Sequence, residues 1–345
     1  MRENESFFKI IGDREQVLAF SKCRIPFEVK KAGNGAEISA FRTALRTALS
    51  CLSLKQNEML CGKYGTTDPT KQYYDLENVL FYNVGNKPIY GQTGNGLAFS
   101  VIGDAELDDL RREYGVPPEF CHCYLYSLRK QNNTPSTKGF VLARWKPFPC
   151  EKLNGKHAAD FWKLFKSVEN TGIYSRFSDE NLTGTSDFSL FLTITKPTDT
   201  FFRVESVMKP LLDGLICSLH GREKDMTAFA EKIHCDPAWF QTEGILGKRD
   251  FLQNYPNGLK WNPADERCKK ALIRVREGNA WTFSGEVRPL CPYCRSASAA
   301  KIFYGMPAYS EELETAEAYG ELFFGGCCVA KNGAAFRCNR CKKRF

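Results

Sequence analysis

Val204-Glu205-Ser206-Val207-Met208-Lys209 runs without interruption into Pro210-Leu211-Leu212-Asp213-Gly214-Leu215-Ile216-Cys217-Ser218-Leu219-His220. Apolar residues dominate 207–220, so the stretch reads as a buried helix, with Pro210 early in it, where a missing N–H is tolerated. Glu205, Lys209 and Asp213 are spaced by four, and a helix stacks such residues on one face, one turn apart. The commonest use of that spacing is an exposed row of ion pairs. Here the charges sit inside strongly apolar sequence, where a purely solvated face is harder to arrange, and this points to a functional cluster.

Outward from this helix, the same periodic signals recur. Residues 40–54 (AFRTALRTALSCLSL) and 158–168 (AADFWKLFKSV) carry apolar residues at helical spacing. Ser189–Thr195 (SLFLTIT) alternates like a half-buried strand, and Ala271–Val275 also reads as a strand. In the first half, Ile25-Pro26-Phe27 precedes the helical stretch and Asp75–Phe81 follows it. In the second half, Pro147-Phe148-Pro149-Cys150 precedes the helical stretch, and 189–195 and 204–209 follow it. The pattern predicts an α+β fold built of two tandem related modules. Polar, turn-rich joints near 130–138, 170–187 and 278–288 divide the chain into 1–135, 136–285 and a small C-terminal domain, 286–345.

Acids recur beside these elements. Asp75-Leu76-Glu77-Asn78 opens an apolar run, and two acids separated by one residue share one side of a strand; they also suit helix or turn caps. Asp265-Glu266 precedes the predicted strand at 271. Several acids converging with one lysine are what metal-assisted phosphodiester cleavage requires. Carboxylates hold Mg²⁺ as hard oxygen ligands, the metal activates water, and the lysine neutralises phosphate. On this reading Asp213, Glu205 and Asp265 are metal ligands, Lys209 is the neutralising cation, and Asp75 with Glu77 forms a second acidic set.

Glu205 to Leu215 resembles the D-N-x-x-K-x-x-x-D-x-L core of RusA-type Holliday-junction resolvases, and Asp75-Leu76-Glu77-Asn78 resembles the D-x-D-N that opens it. Asp265-Glu266 is similar to the family's later acidic pair. The resemblance spans roughly residues 20–275, in two partial copies. It implies a small α+β protein that binds branched DNA, with Mg²⁺ held by carboxylates. Neither copy is complete. In the second, the family's first Asp falls on Arg203 and its Asn on Ser206; in the first, the Lys position is Phe81. A site split between the copies and a fold without nuclease activity are both compatible with these departures.

Near the C-terminus, Cys291-Pro-Tyr-Cys294 is answered by Cys338-Asn-Arg-Cys341. Paired CxxC knuckles of this kind make a closed tetrahedral thiolate site, which selects zinc and has no open position for chemistry. The segment resembles a zinc-ribbon-like tail of bacterial proteins, with a YGxPxxSxEL…GGC insert here at Tyr304–Pro307, Ser310–Leu313 and Gly325–Cys327. Ser310 is a predicted helix N-cap, and Cys327 and Cys328 are expected as buried small residues rather than extra ligands.

The chain has 345 residues, a net charge of +8 and 15 cysteines. No run of about 18 apolar residues predicts a membrane span, and the first 16 residues are too polar for a signal peptide. Cysteines in that context read as cytoplasmic thiols plus a metal site. The mild basic excess permits nucleic-acid binding, and it is densest at Arg337, Arg340, Lys342, Lys343 and Arg344, either a solvated rim or a phosphate-contacting one. Cys121-His122-Cys123 reads as core packing, the glycines at 91, 94 and 96 as a hairpin turn, and Trp145, Trp162, Trp239 and Trp261 as anchors of separate cores. The leading expectation is a nucleic-acid-engaging, Mg²⁺-dependent endonuclease with a structural zinc. The alternative is a non-catalytic nucleic-acid- or protein-binding scaffold whose acids are structural. Oligomeric state stays open.

Overall fold

A computed structural model describes residues 7–26, 35–55, 57–68, 75–85, 89, 93–130, 138–150, 157–167, 186–221, 226–240, 244–255, 258–263, 265–305, 308, 310–327 and 333–345. The fold is α+β. Fourteen strands lie among the described residues: β1 Phe8–Gly12, β2 Gln16–Ser21, β3 Glu58–Thr66, β4 Gly96–Val101, β5 His122–Lys130, β6 Ala143–Pro149, β7 Phe188–Pro197, β8 Leu252–Tyr255, β9 Gly258–Trp261, β10 Cys268–Gly278, β11 Thr282–Pro289, β12 Ala299–Tyr304, β13 Leu322–Gly326 and β14 Phe336–Cys338. The α-helices are α1 Gly35–Leu49, α2 Asp104–Glu113, α3 Ala158–Ser167, α4 Met208–Ser218, α5 Thr227–Ile233 and α6 Glu311–Ala318.

Nine strands form one mixed sheet in the order β1-β2-β5-β3-β4-β10-β7-β11-β6. In the first half, β2 pairs antiparallel with β5, β5 antiparallel with β3, and β3 parallel with β4. In the second, β6 pairs antiparallel with β11, β11 antiparallel with β7, and β7 parallel with β10. Between the two leading strands of each half lies a helix, α1 or α3. Between the two parallel strands lies a second helical piece, the π-turn Asn78–Tyr82 or α4. The halves meet where β4 and β10 pair antiparallel, with Ala98 opposite Leu272. The same order of pairings thus runs on each side of this antiparallel seam.

The sequence explains why α1, α3 and α4 pack on one face, while α2 packs on the other. In α1, Ile38, Phe41, Leu45 and Leu49 are buried at three- and four-residue spacing, with Glu37 in the first turn and Arg46 in the last, as the helix dipole favours. In α3, Phe161, Trp162 and Phe165 point inward. Helix α4 crosses α3 at Gly214, where any side chain would run into the Ala158 carbonyl and Phe161. Strand β7 is buried continuously from Phe188 to Leu192, as a central strand covered on both faces must be. One core joins the two halves: Phe41, Phe81, Leu97 and Tyr126 from the first pack with Phe161, Leu190, Leu211 and Ile273 from the second. Gly96 opens β4 at φ +127, with the Ile273 carbonyl against the place a Cβ would occupy, so the seam requires glycine there.

Several sequence expectations need correction. The boundary placed at 285–286 falls inside β11, which pairs with β7 and β6 in the large sheet, so the small C-terminal unit starts after Pro289. The joints at 130–138 and 170–187 lie mostly outside the described residues. The two halves share a sheet and a core rather than standing as separate bodies. Trp162, Trp239 and Trp261 belong to one aromatic cluster with Phe229, Phe240 and Phe251; Trp145 alone of the four lies in the main core. His122 and Cys123 are buried, and the Tyr64 hydroxyl lies 2.7 Å from His122 Nδ1, in line with core packing. Of the 91–96 loop, only 93–96 is described, and it turns into β4.

Candidate functional site

The carboxylates of Asp75, Glu77, Asp213 and Asp265 gather around the ammonium group of Lys209. Lys209 Nζ donates to Glu77 Oε1 at 3.1 Å and to Asp265 Oδ2 at 2.7 Å, and pairs with Asp213 Oδ1 at 2.8 Å. Ligand atoms of Glu77, Asp213 and Asp265 all lie within 4.8 Å of one another, and so do those of Asp75, Asp265 and Glu266. Asp265 belongs to both triads.

The residues arrive from three separate segments of the chain. Lys209 and Asp213 lie one turn apart on α4, as their spacing requires. Asp265 stands in the short 3-10 turn Asp265–Arg267, three residues before β10 begins. Asp75 and Glu77 come from the other half. The expected strand there is instead a helical segment, with Glu77 at the N-cap of the π-turn, making no side-chain cap hydrogen bond. Asn78 Nδ2 donates to Asp75 Oδ2 at 2.7 Å and fixes that carboxylate. Glu266 is held from outside by Arg249, whose Nη1 donates to Glu266 Oε1 at 3.0 Å and whose Nε donates to the Asn262 carbonyl at 3.1 Å. Arg249 and Asn262 carry no motif of their own, so sequence reasoning had no signal for them.

The electrostatics show an excess of negative charge in a dry place. Glu77 is fully buried, and its Oε2 has no hydrogen-bond partner among the described residues. Burial pushes Asp75 up to about 7, helped by the neighbouring Asp265. Burial also lifts Asp213 to about 6 and holds Glu77 well above its ordinary value. Burial by itself would lower the Lys209 ammonium, but the carboxylates of Glu77, Asp265, Asp213 and Asp75 outweigh it and hold it well above its ordinary value. One lysine against four acids is undercompensated, so the site must take up protons or a further cation.

Glu205 stands apart from this group. It lies in a separate turn, Val204–Ser206, because Val207, at φ −123 and ψ −6, breaks the chain before α4 begins. The four-residue spacing from Glu205 to Lys209 therefore does not put them on one helical face. The Glu205 carboxylate is buried against Thr93 Oγ1, which donates to Oε2, and burial pushes its pKa up to about 7.

The second cluster is the one the cysteine spacing predicts. Cys291, Cys294, Cys338 and Cys341 bring their sulfurs within 4.8 Å of one another, and this group can hold a metal ion. Cys291 Sγ lies 3.6 Å from Cys341 Sγ, and Cys294 Sγ lies 3.4 Å from Cys338 Sγ. Four thiolates at about 2.3 Å from a tetrahedral ion would stand about 3.8 Å apart, close to these spacings. The cluster caps a three-stranded sheet, β13-β12-β14. Burial pushes Cys291 up to about 12, while the Lys343 backbone N–H draws Cys341 down to about 7. Ser310 caps α6, accepting from the Leu313 N–H at 3.3 Å. Cys327 is exposed rather than buried, and Cys328 lies outside the described residues. In the basic tail, Arg337 and Arg344 stack over Phe323, and Lys343 over Tyr293.

No family model, curated protein or solved structure matches the chain. Among the described residues, no helix is long and apolar enough to cross a membrane.

Proposed function

We propose that the chain is a divalent-metal-dependent phosphodiesterase acting on nucleic acid, an endonuclease of the RusA-like kind, with a structural zinc in a ribbon at its C-terminal end. The observation that carries this reading is the buried Glu77 Oε2, unpartnered among the described residues, in a carboxylate group that Lys209 alone cannot neutralise. Hard oxygen donors at this density suit Mg²⁺ or Mn²⁺. Glu77, Asp213 and Asp265 would hold the ion, with Asp75 and Glu266 adjoining. A bound Mg²⁺ supplies Lewis-acid polarisation of the phosphate and a water of lowered pKa.

The chain's own residues supply the rest. Lys209 carries positive charge beside the carboxylates and so favours the extra negative charge that phosphorus gains as water adds. Asn78 keeps Asp75 oriented. In the hydrolysis, the water oxygen forms a new bond to phosphorus and the bond to the departing sugar oxygen breaks. One water proton passes to a site carboxylate, and the departing oxygen takes a proton from solvent. The dense basic end of the chain, Arg337 to Arg344, offers phosphate contacts that carry no sequence information.

Cleavage of branched and linear DNA and RNA with Mg²⁺ or Mn²⁺ tests the reading. Asp213→Asn and Asp265→Asn are expected to lower the rate at least about 100-fold, since each removes a charge that holds the ion. Cleavage that survives both substitutions overturns it. The same contacts also favour a second reading: the ion pairs of Lys209 at 2.7, 2.8 and 3.1 Å would equally serve a structural network in a non-catalytic nucleic-acid- or protein-binding scaffold. Absence of both cleavage and Mn²⁺ binding, with nucleic-acid binding retained, selects that reading.

A further inference from the structure

The two sides of the β4–β10 seam carry equivalent positions with unequal chemistry. We infer that this chain is a one-sided nuclease: it hydrolyses one strand per binding event at the Lys209 side of the seam, while the equivalent side at Glu205 is silent. The inference rests on the phosphodiesterase reading above and adds to it a product and a stoichiometry.

The equivalence follows from the strand pairings. The segment between β3 and β4 corresponds to the segment between β7 and β10, since both connect neighbouring parallel strands. Within these segments Glu77-Asn78 aligns with Glu205-Ser206, Phe81 with Lys209, and Gly85 with Asp213, always 128 residues apart. Thr93 stands three residues before β4, as Asp265 stands three before β10. The contacts repeat crosswise. Glu77 of the first half meets Lys209, Asp213 and Asp265 of the second; Glu205 of the second meets Thr93 of the first.

At the Glu205 side, each ligand position except the glutamate has lost its charge. Asp265 has become Thr93, whose hydroxyl donates to Glu205. Lys209 has become Phe81, wholly buried and edge-on to Tyr126. Asp213 has become Gly85, at φ +97, and the place its side chain would take is filled by the Arg46 guanidinium, which donates to the Val84 carbonyl. A hard divalent ion needs several anionic oxygens, and here one carboxylate remains, with the Arg203 cation acting on it. Glu205 Oε1, like Glu77 Oε2, has no hydrogen-bond partner among the described residues, but Glu205 belongs to no group of three potential ligand residues among them, so it lacks the companions a metal needs.

A supercoiled plasmid with an inverted repeat extruded as a four-way junction distinguishes one cut from two. Two coupled sites convert supercoiled plasmid directly to linear. A single cut gives nicked circle, because the nick releases the supercoiling that holds the junction open. The expected first product is nicked circle, with one water consumed and one phosphodiester broken per plasmid. Glu77→Gln is expected to lower nicking at least about 100-fold, and Glu205→Gln to change it less than about twofold. As a readout independent of cleavage, Asp213→Asn/Asp265→Asn protein should bind no Mn²⁺ in a direct titration. Linear product at the first turnover, Mn²⁺ retained by that double variant, or loss of nicking in a folded Glu205→Gln protein overturns the one-sided inference and leaves the nuclease reading standing. Absence of both Mn²⁺ binding and cleavage from the unaltered protein overturns the two together.

Discussion

The cysteine cluster and the carboxylate cluster are opposite solutions to holding charge. The four cysteines come from two short knuckles that meet at one end of a three-stranded sheet, and they close on themselves. The acids come from residues 75 to 265, on both sides of the central seam, and leave one buried oxygen of Glu77 without a partner among the described residues. Soft thiolates in a closed tetrahedron suit a metal that holds structure. Hard carboxylates that exceed their cation suit a metal that can still accept a substrate oxygen. The difference teaches that local spacing builds the first kind of site, whereas the second needs the whole sheet.

Metal removal should separate them most sharply. Stripping the thiolate site with a chelator, or Cys338→Ser, is expected to unfold the 290–345 unit, since a structural zinc contributes on the order of 10 kcal/mol in small domains. Elemental analysis should find about one zinc per unaltered chain; a zinc-free protein with this unit still folded by hydrogen exchange breaks the contrast. Lys209→Met comes next. It strips the one cation from four acids, of which Glu77 and Asp265 are buried, and breaking a buried pair costs about 3–5 kcal/mol. Denaturant melts should show that loss, with partial recovery in Mn²⁺, while zinc content stays unchanged.

A smaller effect concerns pH. Asp213 is raised from its ordinary 3.8 to about 6, so the folded protein keeps a proton there that the unfolded chain releases. Stability tied to that proton is present below about pH 4 and is lost as pH rises through about 6. Without divalent ions, the stability of Asp213→Asn relative to the unaltered protein should therefore increase from pH 4 to 7, read from melting temperatures; an opposite trend breaks the picture of an overcharged site. Smallest is Lys342→Ala/Lys343→Ala. If these residues touch phosphate, the slope of log affinity against log salt should fall by about 1 for each lysine removed, with cleavage chemistry untouched.

How legible these features were follows from the range of the interactions. Helix α3 could be read to within one residue and α1 in place but five residues late at each end, because an apolar stripe is a local pattern that burial enforces while helix ends are not. The cysteine knuckles and the Ser310 cap were legible for the same reason. Residue type singled out Asp75, Glu77, Lys209, Asp213 and Asp265 but set Asp75 with Glu77 apart as a second group; their shared neighbourhood depends on β4 pairing with β10. Glu205 misled because its four-residue spacing to Lys209 is interrupted at Val207, a backbone break that no side chain there announces. Strand β11 reads as a joint because Gly285 and the charges of Glu286 and Arg288 look like loop residues. In the sheet, Glu286 pairs with both Arg144 and Arg288 and is satisfied.

The seam between β4 and β10 governs how this molecule can change. In an assembly of two identical chains, every substitution falls twice, once on each side of the axis, and a loss at one site is a loss at both. Here the seam joins two stretches of a single chain. Phe81 can drift without Lys209, Gly85 without Asp213, and Thr93 without Asp265. The covalent link therefore frees each side to be tuned alone, so one side can lose its charges while the other keeps them.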